Sequence, residues 1–350
     1  MDSVGFGIIM PVLPDLIMEV SGDDLAASAR YGGWLMFVYA FMQFFFAPVL
    51  GNLSDAYGRR PILLFSMVVL AINYLLMGFA DSLVLLLVGR IISGIGAATM
   101  STCNAYIADI TPVDERAQYF GLLGAAFGMG FIIGPVLGGF LGEIGPRVPF
   151  FFVTGLFCLN FLLGFLILPE SLEVENRRKF EPARANPFST FKQLSKFKIV
   201  FGIMVVMFIY NLGHHVLPSI WSYYTIEKFE WSPREIGYSL GFIGILMVFV
   251  QGFLVRKVVP RVGVRWAGII GMSATIIAFM GYAGATSSAM MYVAMIPGAL
   301  GALAGPALSS IASGQVGAAQ QGELQGGLSS MMSLTSIVSP PIMTQTFALF

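Results

Sequence analysis

Gly51-Asn52-Leu53-Ser54-Asp55-Ala56-Tyr57-Gly58-Arg59-Arg60 is a short polar turn set between two long apolar runs, residues 31–53 and 61–80. A run of about 20 apolar residues is what a helix needs to cross a bilayer. Gly58 permits the tight reversal, and Pro61 suits the first turn of the following helix, where its missing N–H costs nothing. Asp55 falls near the positive start of that helix, and the two arginines have the reach to touch lipid phosphate or helix carboxyl ends. The stretch therefore reads as a turn between two membrane helices.

The composition around it agrees. Of 350 residues, 57% are hydrophobic and only 11% charged, against about 25% charged in an ordinary soluble protein. This excludes a soluble enzyme, a disordered chain and a disulfide-held secreted domain. The formal net charge of zero leaves no electrostatic footprint for nucleic acid. Cys103 and Cys158 lie inside apolar runs without companions at metal-ligand spacing, so neither a metal nor another cofactor is expected. Eleven apolar runs are found, near 1–17, 31–53, 61–80, 83–108, 117–142, 149–168, 199–222, 236–256, 265–285, 288–313 and 324–350. None alternates with period two, which leaves an all-α membrane protein and not a barrel.

Lys and Arg fix its orientation. The connections joining spans two to three, four to five, six to seven and eight to nine hold fourteen of the 19 basic residues, and the opposite connections hold four. Basic loops stay in the cytoplasm, so span one runs from inside to outside. The expected location is the inner (plasma) membrane.

Sliding the chain on itself by 205 residues superposes Gly58 on Gly263, Arg60 on Arg265, Gly121 on Gly326 and Pro135 on Pro340. Val12-Leu13-Pro14 meets Val216-Leu217-Pro218 one residue away from that offset. A parallel repeat of six helices predicts two bundles, 1–168 and 199–350, joined by a charged cytoplasmic linker, 169–198. By the same offset the first helix is incomplete and a twelfth is missing, so the chain is expected to be a piece of a twelve-helix protein.

Several polar residues fall within or beside the spans. Arg90 lies about 12 Å in from the outer end of span four, and a buried arginine normally faces an interior or a cavity. Asp2 lies about 22 Å from the outer end of span one, too different in depth for a direct pair with Arg90. His214 and His215 sit side by side in span seven; neighbours on a helix point about 100° apart, so at most one is expected to face a central cavity. Histidine titrates near neutral pH. Gln43 and Gln251 are mid-span amides able to bind a ligand or to join helices. In span five Gly130, Gly134 and Gly138 recur every four residues and offer one smooth face to a neighbouring backbone, with Pro135 among them. Asp109 and Arg116 bracket a polar turn from which they can pair with Asp55, Arg59 and Arg60.

The turn at 51–60 resembles the loop between helices two and three of the major facilitator superfamily, G-x-L-x-D-x-x-G-R-[RK]; Ala56 stands where a basic residue is frequent. The resemblance implies a major facilitator fold of two six-helix bundles with pseudo-twofold symmetry. It also implies a cytoplasmic latch at Gly51, Asp55, Gly58, Arg59 and Arg60 that opens and re-forms during transport. Gly121, Gly130, Gly134, Pro135, Gly138 and Gly139 match the antiporter motif of the superfamily's exporters, which implies efflux. More closely, Asp2 to Pro14, Tyr39 to Gln43, Tyr106 to Thr111 and Gly322 to Gly326 resemble the tetracycline-resistance type of drug:proton antiporter. In that family an acid in helix one maps onto Asp2 and an arginine in helix four onto Arg90. Three positions serving drug–metal binding and proton coupling in that family differ here, as Asn73, Met247 and Thr275.

The function expected is thus a proton-coupled secondary transporter, monomeric in the lipid bilayer, that exports small amphipathic molecules by alternating access. A metabolite uptake symporter or facilitator of the same fold is the alternative. Proton-coupling or substrate candidates are Asp2, Gln43, Asn73, Arg90, His214, His215 and Gln251. An integral-membrane enzyme is disfavoured, because one adjacent histidine pair makes no catalytic cluster.

Overall fold

The computed structural model describes residues 2–97, 99–112, 115–180, 198–316 and 321–349, apart from a few side chains, Asp2 among them. Linker residues 181–197 therefore lie outside the described residues. All eleven expected spans are helical. Spans two, three, five and six are the unbroken helices Leu25–Tyr57, Arg59–Gly78, Arg116–Ile144 and Val148–Ile167. Span nine is Val264–Gly284 and span eleven Gln321–Phe347.

Four spans expected to be continuous are interrupted, and the interruptions come in pairs. Span one consists of Asp2–Ile9 and Leu13–Ser21, bent by 56°. Span seven is Lys198–His214 and Val216–Phe229. Span four is Leu83–Gly96 and Met100–Ile110, and span ten passes from Ser288–Leu300 through a tighter turn, Gly301–Leu303, into Ala304–Ser313. At the offset of 205, residue 10 falls on 215 and residue 97 on 302, so each break recurs in the other half. Proline explains the first pair: Pro14 and Pro218 cannot donate to the carbonyls of Met10 and His214, which releases those groups from their helices. The Met10 carbonyl is taken by the Ser222 hydroxyl of span seven at 2.7 Å, a hydrogen bond between the halves. The turn glycines are related in the same way: Gly58 (φ 106°, ψ 158°) and Gly263 (φ 80°, ψ 157°) share a backbone conformation open mainly to glycine.

Span eight carries a π segment at Val250–Leu254 between Pro233–Phe249 and Val255–Val262. Span eleven is long enough to cross a bilayer but is not among the helices with strongly apolar composition. It is rich in Ser and Thr, whose hydroxyls return to the preceding turn: Thr335 to Met331 O at 2.7 Å, Thr344 to Pro340 O at 2.9 Å and Thr346 to Ile342 O at 2.7 Å. Satisfied in this way, they tolerate an apolar setting.

The glycine face of span five packs on span one. A Cβ at Gly134 would stand 2.7 Å from the Val4 carbonyl, and one at Gly138 would overlap Ile8. Gly139, one position round the helix, meets Pro233, Arg234 and Gly237 of span eight instead. Near the same end Gly33 of span two lies against Thr344 and Pro340 of span eleven, and Arg30 donates to the Ala348 carbonyl at 3.1 Å. Arg234 is 3.7 Å from Glu143 and lies over the Phe140 ring, 5.1 Å from its centroid. At the basic end of span five, by contrast, nothing approaches within 4 Å of where a Cβ would stand on Gly121, Gly124 or Gly128. The halves touch on the face away from the basic turns, while the glycines at the basic end of span five meet no other part of the described residues.

Span three begins at Gly58, which has no side chain with which to cap the helix. The Glu170 carboxylate does so from 110 residues away, accepting from the Arg59 N–H at 2.8 Å and the Arg60 N–H at 3.2 Å. Replacing it by alanine is expected to lower stability by about 0.5–1 kcal/mol, read by thermal unfolding in detergent. Gly139→Val is expected to cost about 1–3 kcal/mol through overpacking, and Gly121→Val, in open space, less than about 0.5 kcal/mol.

Candidate functional site

The turn at 51–60 builds a buried ionic knot. Arg59 is only 8% exposed. Its guanidinium pairs with Asp55 on the preceding helix, with the Ser54 hydroxyl at 2.8 Å, and through Nε with Asp109 of span four at 3.2 Å. Ser171 donates to the same Asp109 oxygen at 3.1 Å, Tyr106 donates to the Pro169 carbonyl at 3.2 Å, and the Arg178 N–H reaches the Asp55 carbonyl at 3.0 Å. The segment after span six is thereby stapled to the turn. Arg60 points elsewhere: it donates to the Phe165 carbonyl at 2.7 Å and covers that ring, so it reaches a helix carboxyl end. Arg116 does not join the knot. It donates to the Ala108 and Thr111 carbonyls at the end of span four, where free carbonyls attract a cation. Gly51 lies near Ser101 of span four.

Between the halves, at mid-depth, is a cavity of about 580 Å³, within the usual range for small-molecule sites, about 300–1,000 Å³. Spans one, two, three, four and five supply most of its wall, and spans seven and eleven close it from the other half through His215, Pro218, Ser219, Ser336 and Pro340. Phe6 anchors an aromatic face, with its ring centroid 6.1 Å from Tyr39 and 5.8 Å from Phe131. Tyr74 stacks on Phe157 at 5.5 Å.

The cavity gathers some of the sequence candidates and leaves out others. Gln43, Asn73, Arg90 and His215 line it. Gln43 donates to the Ala97 carbonyl at 3.2 Å, at the break in span four. His215 faces the Ser336 hydroxyl at 3.3 Å. Arg90 is 4% exposed, and its Nε has no partner; the Asn73 Oδ1 and Ser66 Oγ atoms on the neighbouring span are also unpartnered. Asp2 opens span one, and its side chain lies outside the described residues.

His214 turns away from the cavity. It stacks on Tyr210 at 5.2 Å and approaches Gly301, beside which Thr275 and Tyr210 also converge. Gln251 faces outward in the π segment of span eight and is exposed. Neither it nor Met247 nor Thr275 borders the cavity. Sequence reasoning missed Glu170, Ser66 and the Arg234–Glu143 contact. The acid directly after Pro169 was the one available signal for the first; single hydroxyls and loop charges gave none for the others.

The Major Facilitator Superfamily sequence model matches residues 1–340. The tetracycline resistance protein, class C, of Escherichia coli is 42% identical over 349 residues, covering 99% of this chain and 87% of that protein. The crystal structure of the human organic anion transporter MFSD10 (TETRAN) superposes with a TM-score of 0.73 at 24% identity, over 99% of this chain and 91% of that one. A bacterial homolog of the human lysosomal transporter Spinster, in an inward-facing and unoccupied conformation, gives 0.70 at 17% identity, over 99% and 81%. At these identities the two structures speak for the fold, and the sequence matches speak for the family. With its all-helical spans and the turn at 51–60, this chain belongs to the Major Facilitator Superfamily and is a multi-pass membrane transporter.

Proposed function

We propose that the protein exports small amphipathic molecules across the inner membrane in exchange for protons, by alternating access. The observation that carries this reading is the cavity lined from both halves, with contact between the halves at Gly139 and Gly237 and open space at Gly121, Gly124 and Gly128 toward the basic end. A substrate enters from the cytoplasm or the inner leaflet and meets aromatic and apolar walls. Relatives 42% and 37% identical to it are named tetracycline resistance proteins, which supports outward transport.

The bundles 1–168 and 199–350 are the moving bodies, and 169–198 is the tether between them. The Arg59–Asp55–Asp109 knot, with Glu170, Gly51, Gly58, Arg60 and Arg116 around it, is the cytoplasmic gate. Closing that face brings the open glycines of span five against the other half, as Gly139 already meets Gly237 on the opposite face. Asp2 and His215 are the candidate proton carriers. His215 is the histidine at the cavity, so its protonation changes the charge that a substrate and the facing half experience. The unit of transport is a single chain.

In everted vesicles containing the full-length protein, an amphipathic dye is expected to accumulate when the interior is acidified. A protonophore is expected to abolish this. Gly121→Val is expected to leave thermal stability unchanged and to reduce that flux at least tenfold, because it obstructs closure of the basic face. Flux indifferent to the proton gradient, or driven in the opposite direction, excludes proton-coupled export.

A further inference from the structure

The cavity carries a charge that no carboxylate cancels among the described residues. Arg90 lines it, 4% exposed, and among the described residues no carboxylate pairs with the guanidinium. Among the described residues the titratable groups near it are the phenols of Tyr74, Tyr39 and Tyr223, which are uncharged at neutral pH. No aspartate or glutamate is among the described cavity-lining residues, and His215 is the one other ionisable nitrogen there. Arginine does not shed its proton under physiological conditions, so this is a fixed cation in a poorly solvated wall. The Nε of Arg90 is buried without an acceptor; on the adjoining span the Ser66 hydroxyl and the Asn73 amide oxygen, an acceptor, are unpartnered too, so it is the Asn73 N–H₂ and not that oxygen that can meet an anion. An amide can present its N–H₂ to an acceptor, and a hydroxyl can donate. Beside this polar corner stand the aromatic rings of Phe6, Phe131 and Phe157.

We propose that the transported molecule is an amphipathic anion, a carboxylate on an aromatic or polycyclic body, with the carboxylate on Arg90 and Asn73 and the rings against the aromatic wall. A carboxylate matches the planar guanidinium fork and restores the acceptor that Nε lacks. A cationic drug of the same shape would instead bring a second positive charge into the site. This inference rests on the cavity being the transport site and specifies what it selects.

The test uses three probes of nearly equal shape: 1-naphthylacetate, 1-naphthylacetamide and 1-naphthylmethylammonium. Equilibrium binding is measured on the full-length protein in nanodiscs by calorimetry. The carboxylate is expected to bind about 10–100-fold more tightly than the neutral amide, and the ammonium more weakly than either. Arg90→Gln is expected to reduce naphthylacetate to the level of the amide, and Arg90→Lys to keep part of the preference. Asn73→Asp, which puts a carboxylate on the same wall, is expected to erase it, so the outcome does not depend on the folding of the glutamine variant. Equal binding of the three probes, tighter binding of the ammonium, or no binding of naphthylacetate overturns the proposal. Proton-driven flux in everted vesicles is read separately. Loss of charge preference with flux intact refutes only the anion selectivity, and absence of driven flux with the preference intact refutes only the export mechanism.

Discussion

Hydrocarbon offers no hydrogen bonds, and the architecture depends on that constraint. Each backbone amide and carbonyl in a span has to be satisfied by its own helix or by another part of the protein. A helix can therefore break only where something else takes the released group. The breaks of spans one, four, seven and ten all lie on the cavity side of the molecule or at the buried cluster of Tyr210, Thr275 and His214. The Gln43 amide takes the Ala97 carbonyl at one break, the Ser222 hydroxyl takes Met10 at another, and the Tyr210 hydroxyl takes Gly301 at a third. Polar side chains that look scattered along the sequence are spent on these openings. The Ser222 bond goes further, because donor and acceptor belong to different halves.

The same economy governs how closely the halves approach. Where span five meets spans one and eight, backbone lies on backbone with no side chain between, and glycine is required on both sides at Gly139 and Gly237. Such a contact is short-ranged and all-or-none: tenths of an ångström decide whether it forms. Around it the Arg234 guanidinium is shared among Glu143, Phe140 and Tyr238 in an exposed setting, where ion pairs are weak and easily exchanged. Tight apolar packing ringed by weak polar contacts suits the repeated separation that the proposed alternating access requires.

The spans were legible because hydropathy is local; each twenty-residue window carries its own evidence. The turn at 51–60 was legible because Gly58, Pro61 and the arginines act within a few residues of one another. The repeat offset also foretold which features recur, and Gly58 and Gly263 do share a conformation. What escaped were relations across the chain. Glu170 looks like the first charge of a linker until its carboxylate is seen on the amides of Arg59 and Arg60. Gln43 and Gln251 are both mid-span amides, yet one lines the cavity and the other is exposed within the π segment, a difference that neither local sequence announces. The breaks in spans four and ten were hidden, since the residues on either side are equally apolar, whereas those in spans one and seven had a signal in Pro14 and Pro218 that marks the repeat as well. Apolar composition signals that a segment is in the membrane, not that it is continuous there.

Two buried arginines show how far environment, and not residue type, assigns a role. Arg59 and Arg90 are almost equally inaccessible. Arg59 has two carboxylates and a hydroxyl around its fork, so its charge is neutralised locally and its donors are largely used. Removing it would strand Asp55 and Asp109, the pattern of a structural or gating ion pair. Arg90 is as deeply buried, but among the described residues no carboxylate pairs with it, the titratable groups near it are phenols, and its Nε is idle. A folded protein sustains such an imbalance only where the missing interaction is supplied part of the time from outside. On the proposed reading, the saturated arginine is part of the gate and the unsaturated one part of the recognition site.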